Sequence, residues 1–254
     1  MMGFVRNMLK WGVARWSGDS LIKPNGTSVL VPKVLKFADF APSVIASLVS
    51  GATYGQAGNL VTVTAAGHGI PATRNGYRIF WPESAAIPAG WYNNLNVVDA
   101  NTFTFQNATS QTVAPGTAIT GALPYLSPVV CGSITIPAGT LSSNGSIKIN
   151  VLRGGDTSAS TKLMRVHLNG IVAADQSTST TSYGAASFTI ARMGSLGTAG
   201  MRLPDGSTFG SGNYTVSNAS ANFDSADVVL QVRFNLVAAA GWGSVDGLFL
   251  EVFP

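Results

Sequence analysis

The chain has 254 residues, of which only 10% are charged against a usual share of about 25%, and its mean hydropathy is +0.27. That apolar content can bury a core and excludes a chain disordered throughout, while the length allows one large β domain or two small ones. A lone cysteine, Cys131, excludes an intrachain disulfide, and with only two histidines, His68 and His167, far apart in the sequence, it excludes a Cys–His zinc site.

The formal charge of +4 is unevenly spread. Residues 1–36 hold Arg6, Lys10, Arg15, Lys23, Lys33 and Lys36 against Asp19 alone, a local net of +5, and the remainder nets −1. The basic pI is therefore a property of one end. A nucleic-acid binder spreads its Lys and Arg over a face interleaved with aromatics, so no nucleic-acid partner is expected. No apolar run reaches the roughly 18 residues of a membrane span. Arg6, Asn7 and Lys10 interrupt the start MMGFVRNMLK, which excludes a secretory core there. The expectation is a soluble protein made in a reducing cytoplasm.

Residues 3–16, GFVRNMLKWGVARW, have a helical period. Val5, Leu9, Val13 and Trp16 fall close to one face with Met8 and Trp11 beside them, and Arg6, Lys10 and Arg15 lie mostly elsewhere. Such a helix is too short to stand alone in water and needs a surface: its own domain, another protein or a membrane. Phe4, Val5, Met8, Leu9, Trp11, Val13 and Trp16 are the candidate anchoring residues. Residues 17–52 read as an extended connector, with a PNGTS turn, a strand SVLVPKVLKF interrupted by Pro32, and an exposed or short structured piece FAPSVIASLVSGA. Residues 1–52 together form the expected arm.

Residues 53–126 read as a small β domain. NLVTVTA alternates apolar and polar, YRIFW repeats the pattern, and WYNNLNVVDANTFTFQN reads as strand, DAN turn, strand, with Asp99 and Asn101 suited to a tight hairpin. ALPYLSPV, with two prolines around Tyr125, reads as a joint. Residues 127–254 carry many short strands, among them GSITIP, GSIKINVLR, LMRVHLNGIVA, SFTIARMG, GNYTVS, VVLQVRFNLV and GLFLEVF. Gly, Asn, Asp and Ser separate them, which argues for an antiparallel β-sandwich rather than βαβ units.

Chemistry-bearing motifs are scarce. Gly18–Leu21 spell GDSL, the signature of a serine esterase family. That family needs a serine after a buried parallel strand and an Asp–His pair three residues apart near the C-terminus. Here Met164 stands three residues before His167 and Ala65 three before His68, and KWGVARWSG precedes the serine. The GDS stretch reads as a turn with a capping side chain. Asp156, Asp175, Asp205 and Asp246 sit beside Gly or Ser in turn contexts, without the carboxylate pairing that acid–base catalysis needs. Asp224 and Asp227 form at most half a calcium site. RGGD at 153–156 loosely resembles an anion-holding nest. Cys131 in VVCGSI fills a small apolar strand position. His68 in AAGHGIP hydrogen-bonds loop backbone or, alternatively, titrates as a switch. No catalytic residue, metal or cofactor is expected.

Two stretches carry a resemblance. VTVTAAGHGIPATRNGYRIFWPESAAIPAGWYNNLNVVDANTFTFQN, with Gly67-His68-Gly69, Gly76-Tyr77, Gly90-Trp91-Tyr92 and Asp99 to Phe105 in that order, resembles a small β module of tailed-bacteriophage proteins. GSITIPAGTLSSNGSIKINVL onward, with Ile136 to Gly139, KLMRVHLNG and a closing VDGLFLEVF, resembles the jelly-roll-like sandwiches of phage tail fibres, head fibres and neck appendages. Together they cover about residues 59–254. The resemblance implies a mainly β virion protein that is not an enzyme: a tail or neck appendage, such as a short fibre or fibre adaptor, held to other virion proteins by its N-terminal arm. A homotrimer is the implied form. The alternatives are a capsid decoration or head-fibre protein, and a glycan-binding receptor module presenting Trp91, Tyr92, Tyr183 or Trp242 as a sugar-stacking platform. Loops 175–187 and 201–213 suit adaptable polar contact or are solvated turns.

Overall fold

Short apolar runs become strands, and several of them face two cores at once. The computed structural model describes residues 15–17, 20–22, 28–30, 33–37, 40–46, 51–119, 128–141, 145–156, 161–178, 183–192, 198–203, 218–219, 221–236 and 241–253. They form β1 (Arg15–Ser17), β2 (Ser20–Ile22), β3 (Ser28–Leu30), β4 (Lys33–Lys36), β5 (Ser43–Ala46), β6 (Thr53–Thr64), β7 (Arg78–Trp81), β8 (Gly90–Val97) and β9 (Thr102–Ala118). After these come β10 (Val129–Ile136), β11 (Ser146–Gly155), β12 (Lys162–Leu168), β13 (Ile171–Thr178), β14 (Tyr183–Arg192), β15 (Thr198–Leu203), β16 (Asn218–Ala219), β17 (Val228–Leu236) and β18 (Trp242–Phe253). The one helical element among the described residues is a single 3-10 turn at Ala72–Arg74.

β1, β2 and β3 form a small meander. A four-stranded sheet runs β10-β17-β12-β13. An eleven-stranded sheet runs β16-β15-β14-β11-β18-β5-β7-β8-β9-β6, with β4 also paired to β18. Pairing is antiparallel except between β5 and β7, where Ser43 lies opposite Arg78 and Val44 opposite Ile79.

The first core lies between the four-stranded sheet and β11, β14 and β18. Val166, Leu230, Val232 and Phe234 meet Ile147, Ile149, Phe188, Leu248 and Leu250 there, all buried. This is the expected antiparallel sandwich, with side chains of two inner faces alternating with outward polar ones. The second core gathers Tyr54, Val61 and Val63 of β6, Phe103 and Phe105 of β9, and Leu95, Ile79 and Trp81. The central strands serve both. In β5, Ile45 points into the first core, and Val44 and Ala46 into the second. In β7, Phe80 packs against the first core while Ile79 and Trp81 fill the second. Trp91 and Tyr92 of β8 divide in the same way.

Two expectations for the N-terminal region change. Residues 3–14 of the expected helix lie outside the described residues, and its last two positions, Arg15 and Trp16, open strand β1 opposite Ile22 and Leu21. The connector does not run free over residues 33–46. β4 pairs with residues 249–252 of β18, and β5 pairs with residues 242–245. The physical reason is burial: every residue of Ser43–Ala46 is buried, so of the two readings of this piece the structured one holds, and it lies within the large sheet. Ser20 of the GDSL stretch begins β2 opposite Ser17. The joint expected around Tyr125 lies outside the described residues, as do most of loop 201–213 and residues 179–182 of loop 175–187.

A buried amide network fixes the outer ribbon of β6 and β9. The Gln56 amide donates to the carbonyls of Gly58 and Thr109, and its oxygen accepts from Asn107 and Gln111. Those bonds sit at the two register breaks of β6, after Tyr54 and after Gly58. Bulges on an edge strand twist it away from further pairing.

Cys131 occupies its expected apolar position, buried in the first core. It is also the extra residue of a bulge between Val130 and Gly132 on edge strand β10. Burial pushes its thiol up to about 12, with Arg78 opposing weakly. The thiol is therefore expected to resist a disulfide reagent in the folded chain at neutral pH and to react fully in denaturant. Rapid native-state reaction, followed by absorbance, would contradict this burial.

Candidate functional site

The four aromatics offered as candidate stacking faces lie in different surroundings. Tyr183 and Trp242 converge on a residue the sequence did not single out, Arg74, whereas Trp91 and Tyr92 are absorbed into the two cores.

Arg74 ends the 3-10 turn after Pro71 and is 5% exposed. Its guanidinium lies 5.2 Å from the Tyr77 ring centre, 5.1 Å from Tyr183 and 5.6 Å from Trp242. Nη1 donates to the Tyr77 hydroxyl at 3.1 Å, and Nη2 stands 3.1 Å from the Asp246 carboxylate. The row beneath it crosses three strands, with Tyr183 of β14 opposite Gly154 of β11, and Gly154 opposite Ser244 of β18. A Cβ at Gly154 would collide with the guanidinium, so that glycine is there for close approach. Arg74 comes from the stretch around the second core, and Gly154, Ser244 and Asp246 come from the sandwich strands. A planar cation faced by rings and one carboxylate is how a buried guanidinium can be tolerated.

Asp156 and Lys162 make a second buried pairing next to it, with Nζ to Oδ1 at 2.6 Å and Lys162 only 2% exposed. Oδ2 of Asp156 accepts from the backbone N–H of Trp242 at 3.0 Å. RGGD is therefore not an anion nest: its two glycines make room for Arg74 and for the Lys162 stem, and its aspartate neutralises Lys162.

Trp242 is 4% exposed and packs in the second core, so it offers no face for stacking. Trp91 lies 4.3 Å from the Arg78 guanidinium and edge-on to Phe80, and its indole N–H donates to the carbonyl of Val130. Arg78 donates to the carbonyl of Cys131 at 2.7 Å. Both bonds land on the β10 bulge, so this pair ties β7 and β8 to the four-stranded sheet. Tyr92 packs against Phe105 and donates to the Pro88 carbonyl; burial raises its phenol. Of the four, Tyr183 alone is well exposed, at 57%. The arrangement offers one accessible ring backed by a buried cation.

The G-H-G turn and the DAN turn are fastened together. His68 Nε2 donates to the Asp99 carbonyl at 2.9 Å, and Nδ1 accepts from the Ile70 N–H at 3.1 Å. The Asn101 side-chain oxygen accepts from the Gly67 N–H. His68 thus bonds loop backbone through both ring nitrogens. Asp227 accepts from the Ala138 N–H. Phe4, Val5, Met8, Leu9, Trp11 and Val13 lie outside the described residues, and Trp16 lies in β1.

No protein family and no curated protein matches the chain. Among solved structures, the insecticidal delta-endotoxin Cry8Ea1 of Bacillus thuringiensis aligns with 80% of this chain and 42% of its own, at 11% identity and a TM-score of 0.27. The chain thus spans less than half of the toxin. The CBM2 module of an evolved Dit from Lactobacillus casei phage J-1 aligns with 84% of this chain and 98% of its own, at 11% identity and a TM-score of 0.32.

Removing Arg74 leaves Asp246 without its partner and three rings around a hole. Arg74→Ala is expected to cost about 3 kcal/mol, which lowers the melting temperature by roughly 6–12 °C in a chain of this size. Gly154→Ala is expected to cost about 1–3 kcal/mol through the same guanidinium, and Tyr183→Ala about 1 kcal/mol or less. Calorimetry of the three variants tests the ordering. Equal melting temperatures for Arg74→Ala and Tyr183→Ala would remove Arg74 from its central place.

Proposed function

We propose that this chain is a non-enzymatic structural subunit of a tailed-bacteriophage particle, a tail or neck appendage such as a short fibre or fibre adaptor. The observation that carries this reading is the fastening of the second core to the sandwich. A continuous eleven-stranded sheet and two arginine clasps, Arg74 to Asp246 and Arg78 to Cys131, join them. Such a body with long-range β pairing suits a part that must endure outside a cell, because unfolding it requires breaking both cores. The ordered motifs from Gly67 to Phe105 and from Ile136 onward support the same reading. The residues before β4 serve as the attaching end, and a homotrimer is the proposed form. Antibody gold on negatively stained particles is expected to label one vertex. Label over the whole head would instead favour a capsid decoration protein, and unlabelled particles would sink both. Light scattering of the purified chain is expected to give a trimer mass, and a monomer at all concentrations counts against the fibre form.

A second reading, a glycan-binding module of the same particle, is favoured by Tyr183. Its ring is exposed and Arg74 lies over it, 5.1 Å from the ring centre. On this reading an array of host-surface glycans gives hits that Tyr183→Ala abolishes while its melting temperature stays within a few degrees of the parent. Hits that survive the substitution place the site elsewhere.

A further inference from the structure

The outer face of the four-stranded sheet sets two positive charges directly against each other. Arg165 of β12 and Arg233 of β17 are register partners. Their neighbours Met164, Val166, Val232 and Phe234 all point into the first core, so both arginines face outward. Directly opposed residues on adjacent strands have Cβ atoms only about 5 Å apart, and like charges there are destabilising. Two residues along, His167 lies opposite Gln231 on the same face. Arg233 folds toward that pair, donating from Nε and Nη2 to the Gln231 oxygen at 3.2 and 2.7 Å.

His167 is 6% exposed. The Asn169–Gly170 turn, with both residues at positive φ, brings the Gly170 carbonyl back to accept from Nδ1 at 2.9 Å. Nε2 is buried and has no hydrogen-bond partner, and the same is true of Nε of Arg165. Buried polar atoms are nearly always bonded, so two orphans in one charged row require an explanation. Among the described residues, the groups facing this row are few. β10 contributes the uncharged Val130 and Ser133, and β13 contributes Val172 opposite His167 and one carboxylate, Asp175, opposite Arg165.

We propose that this face binds a tetrahedral oxyanion, a sulfate or phosphate group, between Arg165, Arg233 and His167. Arg165 offers such an anion a guanidinium fork, and Arg233, whose Nε and Nη2 are given to Gln231, adds its Nη1. His167 contributes through Nε2. With Nδ1–H given to Gly170, the neutral ring presents a lone pair at Nε2, and the protonated ring presents a donor. Binding therefore takes up one proton. Burial, and then the two arginines, hold His167 below its ordinary value, with the Gly170 bond opposing. A group depressed in this way favours the fold above its unfolded value of about 6.5 and withdraws that support as pH falls through it. A bound anion reverses the sign, because it neutralises both arginines and accepts from the new N–H. The site stands on this geometry alone and does not depend on a place in a virion.

The test is a sulfate titration of the full chain, against chloride at equal ionic strength, read at the imidazole nitrogens of His167 by NMR and by proton uptake in calorimetry. Sulfate keeps its charge from about pH 6 to about pH 8, so any pH dependence belongs to the protein. Saturable movement of the His167 signals, with affinity about five-fold or more higher near pH 6 than near pH 8, is expected. Arg165→Gln and Arg233→Gln are expected to abolish it, and Lys148→Gln, on the other sheet, to leave it intact. His167 signals that follow chloride and sulfate alike overturn the proposal, as do unchanged affinities in both arginine variants. If those variants fail to fold, the parent chain decides through proton uptake: about one proton per sulfate sustains the site and none removes it. Dextran sulfate in a parallel arm distinguishes sources. Tighter binding per sulfate group assigns the site to a polymer, and equal binding assigns it to the free ion.

Discussion

Val44 and Ile45 are neighbours in the chain and lie in different cores, one on each face of the same strand. The rest of the structure depends on this constraint. A strand buried on both sides has no solvated face to spend on polar residues, so VIA of β5 and IFW of β7 are continuous apolar runs. Because β5 and β7 pair in parallel, the sheet passes from the sandwich strands to the strands of the second core without an edge between them. Removing apolar volume from β5 would loosen both cores at once, since their packing is shared through a few side chains.

Charged residues are rare in this chain, and several of the described ones lie between layers instead of in water. Arg74, Arg78 and Lys162 each reach from one element to another and end on a carboxylate or a carbonyl. Buried ion pairs are weak contributors to net stability, because desolvation offsets much of their attraction. Their strength is specificity. Each fits one arrangement of rings, glycines and acceptors, and a slipped register would leave a cation buried without a partner. The glycines at 154 and 155 enforce the same arrangement sterically. Gln56 does for the outer ribbon what Arg74 does for the centre, with neutral amides in place of charge.

The sequence revealed these features unequally. Alternation in GSIKINVLR and VVLQVRFNLV marked sandwich strands, because one face of each is solvated. The DAN hairpin and the backbone role of His68 were legible because turn chemistry is local. Arg74 and Arg78 were not, because nothing near them in sequence signals a partner more than fifty residues away. Trp242 is a stacking face only on the glycan-binding alternative, and its strand begins inside the second core. The sequence leaves β5 open between an exposed and a short structured piece, because Val44, Ile45 and Ala46, flanked by Ser on both sides, are too short a run to show any period. The helical period of residues 3–16 ends in a strand at Arg15 and Trp16, where pairing with Leu21 and Ile22 overrides the pattern. Such pairing is invisible to a reading one element at a time.

Strand β18 pairs with β11 on one side and with β4 and β5 on the other, and its first residue fills the second core. During synthesis, β5 leaves the ribosome about two hundred residues before this partner. At a usual rate of some 5–20 residues per second, that is a wait on the order of ten seconds or more. Through that interval β5, buried at every residue in the finished fold, has its parallel neighbour β7 but not its antiparallel one. Neither core closes until residues 242–253 have been made. The nascent chain therefore carries exposed strand edges for nearly its whole synthesis, and a ribosome stalled before residue 242 releases a product that cannot complete either core.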